Sequence, residues 1–154
     1  MAQPDEGGKS PDFHISEKWL RLYQSTCKRG NGYPLFEKYT NLYTLSCGIG
    51  YILNKKTSLE KPYSPFTLEQ IDENIEWPIL RAIAWKDVGE DISIFVNSKK
   101  IIDICDQYAE TGIQKLYNDL FIDHFKDNIL MPYEDLEKDL LYLVEKYKRE
   151  ISYL

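Results

Sequence analysis

The chain is poor in the residues that metal and acid–base chemistry use most. It has two histidines, His14 and His124, and three cysteines, Cys27, Cys47 and Cys105. No cysteines form a CxxC pair or group with a histidine, so the spacing gives no zinc site. Asp123 and His124 make an adjacent carboxylate–imidazole pair, but no further ligands accompany them, and a metal needs three or four. A cysteine nucleophile needs a base beside it, and the sequence pairs none with these three. They read as buried or half-buried thiols in a reducing compartment. The P-loop, HExxH and GxSxG patterns are missing. Gly48-Ile49-Gly50 lacks the third glycine and the preceding strand of a dinucleotide fingerprint, so it reads as close helix packing. No apolar run approaches the roughly 18 residues of a membrane span, and no apolar leader opens the chain. These absences lead us to expect a soluble cytoplasmic protein that is not an enzyme and that has no cofactor, no metal and no membrane partner.

Positive charge is also short. Nineteen lysines and arginines face 25 acidic residues, a net charge of −6. A dedicated non-specific nucleic-acid binder is normally basic, so only a local basic face would serve. The acidic residues Glu134, Asp135 and Asp139 lie at a helix start, where the helix dipole accounts for them without a hydrolytic role.

Apolar and aromatic content is plentiful: 43% hydrophobic and 14% aromatic, with twelve tyrosines. At 154 residues this composition supports one folded domain with a core of its own. Tyrosine combines apolar area with a polar tip, which suits half-buried positions and interfaces.

The clearest periodic stretch spans 97–122. Ile101, Ile104, Cys105, Tyr108, Gly112, Leu116 and Leu120 recur at steps of three and four, and Ile102, Ala109, Ile113 and Tyr117 widen the face beyond a surface stripe. This predicts a core helix capped by Asn97 or Ser98. Gly112 lies between Tyr108 and Leu116, where a neighbouring helix is expected to approach its backbone.

Four further helices are expected. The first runs over about 15–28 and is stopped by Arg29-Gly30-Asn31-Gly32. The second runs from Pro34 to about Leu53. A short third covers 79–86 behind Trp77-Pro78. The last follows Pro132 over 133–152, with Leu136, Leu140, Leu143 and Tyr147 on one face that reads as core, the alternative being a helix offered to a partner. Residues 55–74 read as a loop with a short helical turn, and 123–131 as a connection. Ile92–Val96 is strand-like but has no second strand, so a short helix or extended link is expected. The prediction is therefore an all-α compact bundle of about five helices over 13–154, behind a flexible tail at 1–12.

Two surfaces stand out. Lys18, Arg21, Lys28 and Arg29 gather on or near one side of the first helix, with Lys55, Lys56 and Lys61 nearby, and form a candidate DNA-binding face. Leu141, Tyr142 and Val144 form a second apolar face on the last helix, a candidate partner-binding surface. Charges placed at Leu141 and Val144 are expected to abolish association and spare the melting temperature.

The segments FEKYTNLYTLSCGIGYILNKKTSLEK, WPILRAIAWKDVGEDISIF and IDICDQYAETGIQKLYNDL together resemble a family of small accessory proteins. This family is encoded with Dnd-type DNA phosphorothioation systems, the bacterial defence loci that exchange a phosphate oxygen for sulfur. Tyr108, Ala109, Gly112, Ile113 and Leu116 match its tyrosine–alanine–glycine helix, although Glu110-Thr111 replaces the small or amide residues expected there. The likeness covers about 36–120. It implies a helper in antiviral defence whose partners are other proteins of the complex, with DNA or a second copy of the chain as further candidates. It carries no catalytic residues.

Overall fold

The computed structural model describes residues 10–28, 35–127, 129–131 and 133–151. The tail at 1–9, the stop sequence with Arg29, and the helix-start prolines Pro34 and Pro132 lie outside them, as does Ser152.

Two crossing helices organise the fold: α2 (Tyr39–Ile52) and α4 (Ser98–Leu116). Their backbones meet because each offers a glycine at the crossing. A Cβ on Gly112 would lie 1.7 Å from the Ser46 carbonyl oxygen, and one on Gly50 would lie 1.9 Å from that of Tyr108. Ser46 and Gly50 are one turn apart on α2, as Tyr108 and Gly112 are on α4, so the close approach is reciprocal. Gly48, read from the sequence as part of the same packing, has open space around its Cβ position and takes no part.

α4 is buried around most of its circumference, including Ile101, Ile102, Cys105, Tyr108, Ala109, Ile113 and Leu116. At its start the Asn97 side chain accepts the Lys100 N–H at 3.1 Å, which satisfies an otherwise free amide of the first turn. At its end the helix widens into a π turn over Tyr117–Phe121.

α3 (Glu76–Asp87) buries Trp77, Leu80, Ile83 and Ala84. It begins before the expected residue 79 because side chains prepare its first turn. Asp72 Oδ1 accepts the N–H groups of Asn74 and Ile75 at 2.8 Å, and Glu76 Oε2 accepts that of Asp72 at 2.9 Å. Pro78 sits in that first turn, where its missing N–H costs nothing. Ile92–Val96 is a 3-10 turn, in line with the short helix expected for an unpaired strand-like run.

The all-α expectation needs correction: the fold is mostly helical but carries two small antiparallel ladders. In the first, β1 (Ile15–Ser16) pairs with β2 (Pro62–Tyr63). In the second, β3 (Phe125–Lys126) pairs with β4 (Ile129–Leu130), and turns the expected connection into a hairpin. The first ladder also shortens the first helix. Glu17 donates its N–H to Lys61 O at 3.0 Å, so Glu17–Trp19 forms a 3-10 turn and α1 runs only over Leu20–Thr26. Likewise α2 starts at Tyr39, since Phe36 is engaged with the end of α1: its N–H donates to Thr26 O at 3.0 Å and its carbonyl accepts from Lys28 N at 2.9 Å. Ordered backbone begins ahead of Phe13, where Pro11 O accepts the Leu68 N–H at 2.9 Å.

α5 (Leu136–Ile151) closes the core. Leu136, Leu140, Leu143 and Tyr147 are buried in an apolar cluster that reaches back to Phe13 and Ile15. The Tyr147 hydroxyl donates to Asp119 Oδ2 at 2.6 Å, which ties α5 to the π turn. No helix among the described residues is long and apolar enough to cross a membrane.

Candidate functional site

α4 carries a polar strip inside an otherwise apolar environment: Asp106, Glu110 and Thr111 are all buried. Burying a carboxylate is costly unless partners compensate, and Asp106 has three. Tyr43 Oη donates to Oδ1 at 2.6 Å, the His14 backbone N–H to Oδ1 at 3.1 Å, and His14 Nδ1 lies 3.2 Å from Oδ2. Burial raises the Asp106 pKa, against the lowering effect of these bonds. The hydrogen bond to Asp106 in turn raises that of His14 above its usual 6.5, assisted by the charges of Asp106, Asp12 and Asp103.

Sequence reading left His14 beside the tail and without a partner, because its carboxylate lies 92 residues away. The available signal was Asp106 itself, a carboxylate on a face too apolar for one that lacks a partner. A neutral His14 that donates from Nδ1 keeps Nε2 as an acceptor. The ring borders a cleft of about 440 Å³ that Ser58, Asp103 and Gln107 also line.

Both raised pKa values carry the same sign for stability. A raised folded-state pKa stabilises fully below the unfolded value, and that contribution is lost as pH rises through the folded value. The His14 contribution is therefore present below about 6.5 and declines above it. In urea titrations between roughly pH 6 and 8, the stability advantage of wild type over His14→Gln is expected to shrink as pH rises. An advantage that grows with pH would reverse the assignment.

A second cleft, of about 310 Å³, lies further along α4, and its lining includes Lys18, Lys55, Thr57, Glu110, Thr111 and Lys115. Glu110 is only 5% exposed, and its Oε1 accepts the Trp19 indole N–H at 3.1 Å. The Thr57 and Thr111 hydroxyls are bonded at 2.7 Å and clamp the 55–60 segment to α4.

Several cations of the candidate DNA face are already paired. Lys18 pairs with Glu60 at 3.5 Å, Lys28 with Glu37 at 3.9 Å and Lys56 with Asp87 at 3.0 Å. Arg21 donates to Gln24 at 3.2 Å and shares a groove with Lys18 and Lys61. Lys55 lines the Glu110 cleft together with Lys18, and Arg29 is outside the described residues. The chain matches no known protein family, no curated protein and no solved structure.

All three cysteines are buried and unpaired. Burial pushes the Cys27 thiol up to about 12 and that of Cys105 well above its ordinary value, which leaves them as poor nucleophiles at neutral pH. His124 stacks on Tyr133 with ring centroids 4.0 Å apart. Among the described residues no three His, Cys, Asp or Glu side chains converge as metal ligands.

On α5 the candidate partner-binding residues divide. Leu141 and Tyr142 are each 67% exposed, while Val144 is half-buried against the core. The exposed pair thus forms the free part of that face. Ile129 and Met131, at 59% and 55%, add apolar surface on and just after the hairpin.

Proposed function

We propose that this protein is a non-catalytic interaction subunit that docks other proteins through the exposed side of α5. The observation that carries this reading is the double use of one helix. Leu136, Leu140, Leu143 and Tyr147 satisfy the core, and Leu141 and Tyr142 remain two-thirds exposed on the other side. Isolated exposed apolar residues are ordinary, but two large adjacent ones on a helix already anchored by four buried residues suit a helix-mediated contact. The placement of that contact in a DNA-modification and restriction defence system rests on the sequence resemblance alone.

The test is co-purification from the native host. Tagged wild-type chain should recover the product of a neighbouring defence gene, and Leu141→Glu with Tyr142→Glu should lose it while the melting temperature stays within about 1 °C, as expected for surface changes. Recovery of no such protein, or equal recovery by the double variant, would reject the reading. Val144→Glu should lower the melting temperature, because it places a charge against the core.

Direct DNA binding through Lys18, Arg21, Lys28, Lys55 and Lys56 is the second reading and has less support. Carboxylates already partner Lys18, Lys28 and Lys56, and phosphate contacts would compete with those pairs. Retardation of a duplex at low salt, lost on Lys18→Ala with Lys55→Ala, would favour it.

A further inference from the structure

We propose that the cleft over Glu110 is a binding site for a mononucleotide, with Glu110 accepting from the base amino group and Lys55 holding the phosphate. The starting point is an unusual carboxylate. Glu110 is 5% exposed, yet its one side-chain hydrogen bond is from the neutral Trp19 indole, to Oε1. No described residue donates to Oε2, and no described cation lies within ion-pairing distance. Asp106, equally buried on the same helix, shows how the fold treats a carboxylate it uses for structure, since three donor groups reach it. Glu110 instead keeps acceptor capacity where it lines a cleft.

The cleft lining brings the buried Glu110, whose carboxyl oxygens suit an N–H donor, together with three lysines and the exposed Glu60. Lys18 and Lys115 are 44% and 39% exposed and share their charge with Glu60 and Asp119, while Lys55 is exposed and has no ion pair among the described residues. A free phosphate would leave the Glu110 oxygen unmatched. A simple amine would leave Lys55 without a partner. A molecule with an amino group at one end and a phosphate at the other satisfies both. A volume of about 310 Å³ falls within the range of small-ligand sites. The Thr57–Thr111 clamp fixes one wall in advance, which limits the ordering cost of binding.

Titration calorimetry of the full chain with AMP, GMP, CMP and inorganic phosphate tests the proposal. At least one of the three nucleotides should bind more tightly than phosphate. Glu110→Gln, which keeps an oxygen for Trp19, should weaken that binding about tenfold or more, as the loss of a charge-assisted contact does. Lys55→Ala, an exposed change, should weaken it with an unaltered melting curve. Absence of binding by all three nucleotides at millimolar concentration overturns the proposal, as does affinity untouched by both variants. Phosphate that binds as tightly as any nucleotide also overturns it, because Glu110 would then contribute nothing. Neither variant touches Leu141 or Tyr142, so partner recovery should be the same in both, and the two readings fail separately.

Discussion

Gly112→Leu is expected to lower the thermal midpoint well below that of wild type. A Cβ at this position would sit 1.7 Å from the Ser46 carbonyl oxygen and 2.5 Å from its carbon. Both atoms are backbone, so no rotamer change relieves the clash and α2 and α4 must separate. Overpacking ordinarily costs 1–3 kcal/mol. A backbone obstruction at the centre of the fold belongs at or beyond the upper end, roughly 3 kcal/mol or more, against a usual margin of about 5–15 kcal/mol. The opposing gain, from replacing a helical glycine, is only about 1 kcal/mol. Gly50→Ala, which faces Tyr108 O at 1.9 Å, should also destabilise strongly. Gly48→Ala supplies the control: it has open space and should leave the midpoint unchanged or raise it. Thermal melts followed by circular dichroism decide the matter, and a Gly112→Leu midpoint at or above wild type would mean that the crossing is not as close as described.

Truncation after Met131 is expected to give an aggregating remnant. It removes Leu136, Leu140, Leu143 and Tyr147, all buried, and the Tyr147–Asp119 hydrogen bond. Each apolar side chain contributes on the order of 1.5–3 kcal/mol when buried, so four approach or exceed the whole margin of a typical domain. The exposed core face would then associate. Size-exclusion chromatography beside a melting curve distinguishes this from the opposite result, a monomeric remnant with a cooperative transition, which would make α5 dispensable for folding.

The features legible in the sequence were those that one segment fixes alone. The 3.6-residue period of α4 marked its buried face, Asn97 or Ser98 announced the cap, and Gly112 between Tyr108 and Leu116 announced a close neighbour. The inward set on α5 followed from the same spacing. Each depends on residues within a few turns of one another, so the pattern survives without knowledge of the rest of the chain.

The two ladders were not legible. Strands of two residues are too short to show an alternating period, and Ile15 fits a helix face as well as a strand. What decides their state is the partner: Pro62–Tyr63 offers paired backbone to Ile15–Ser16, and no local propensity records that. Val144 was read as part of the partner-binding face and is half-buried against the core, because its burial depends on where α5 comes to rest.

The candidate sites were the least legible. His14 and Asp106 are 92 residues apart, and the wall of the Glu110 cleft comes from a segment read only as loop. Sequence by itself determined which helices form, which side of each is apolar, and that no familiar catalytic motif is present, because composition and short-range period govern these. Tertiary structure alone decided that Tyr43, His14 and Asp106 meet, that Glu110 is buried with one oxygen unmatched among the described residues, and that Leu141 and Tyr142 stay outside. Those outcomes depend on how distant elements pack, and the free energy of a long-range contact exists only once the chain has closed the loop between its partners.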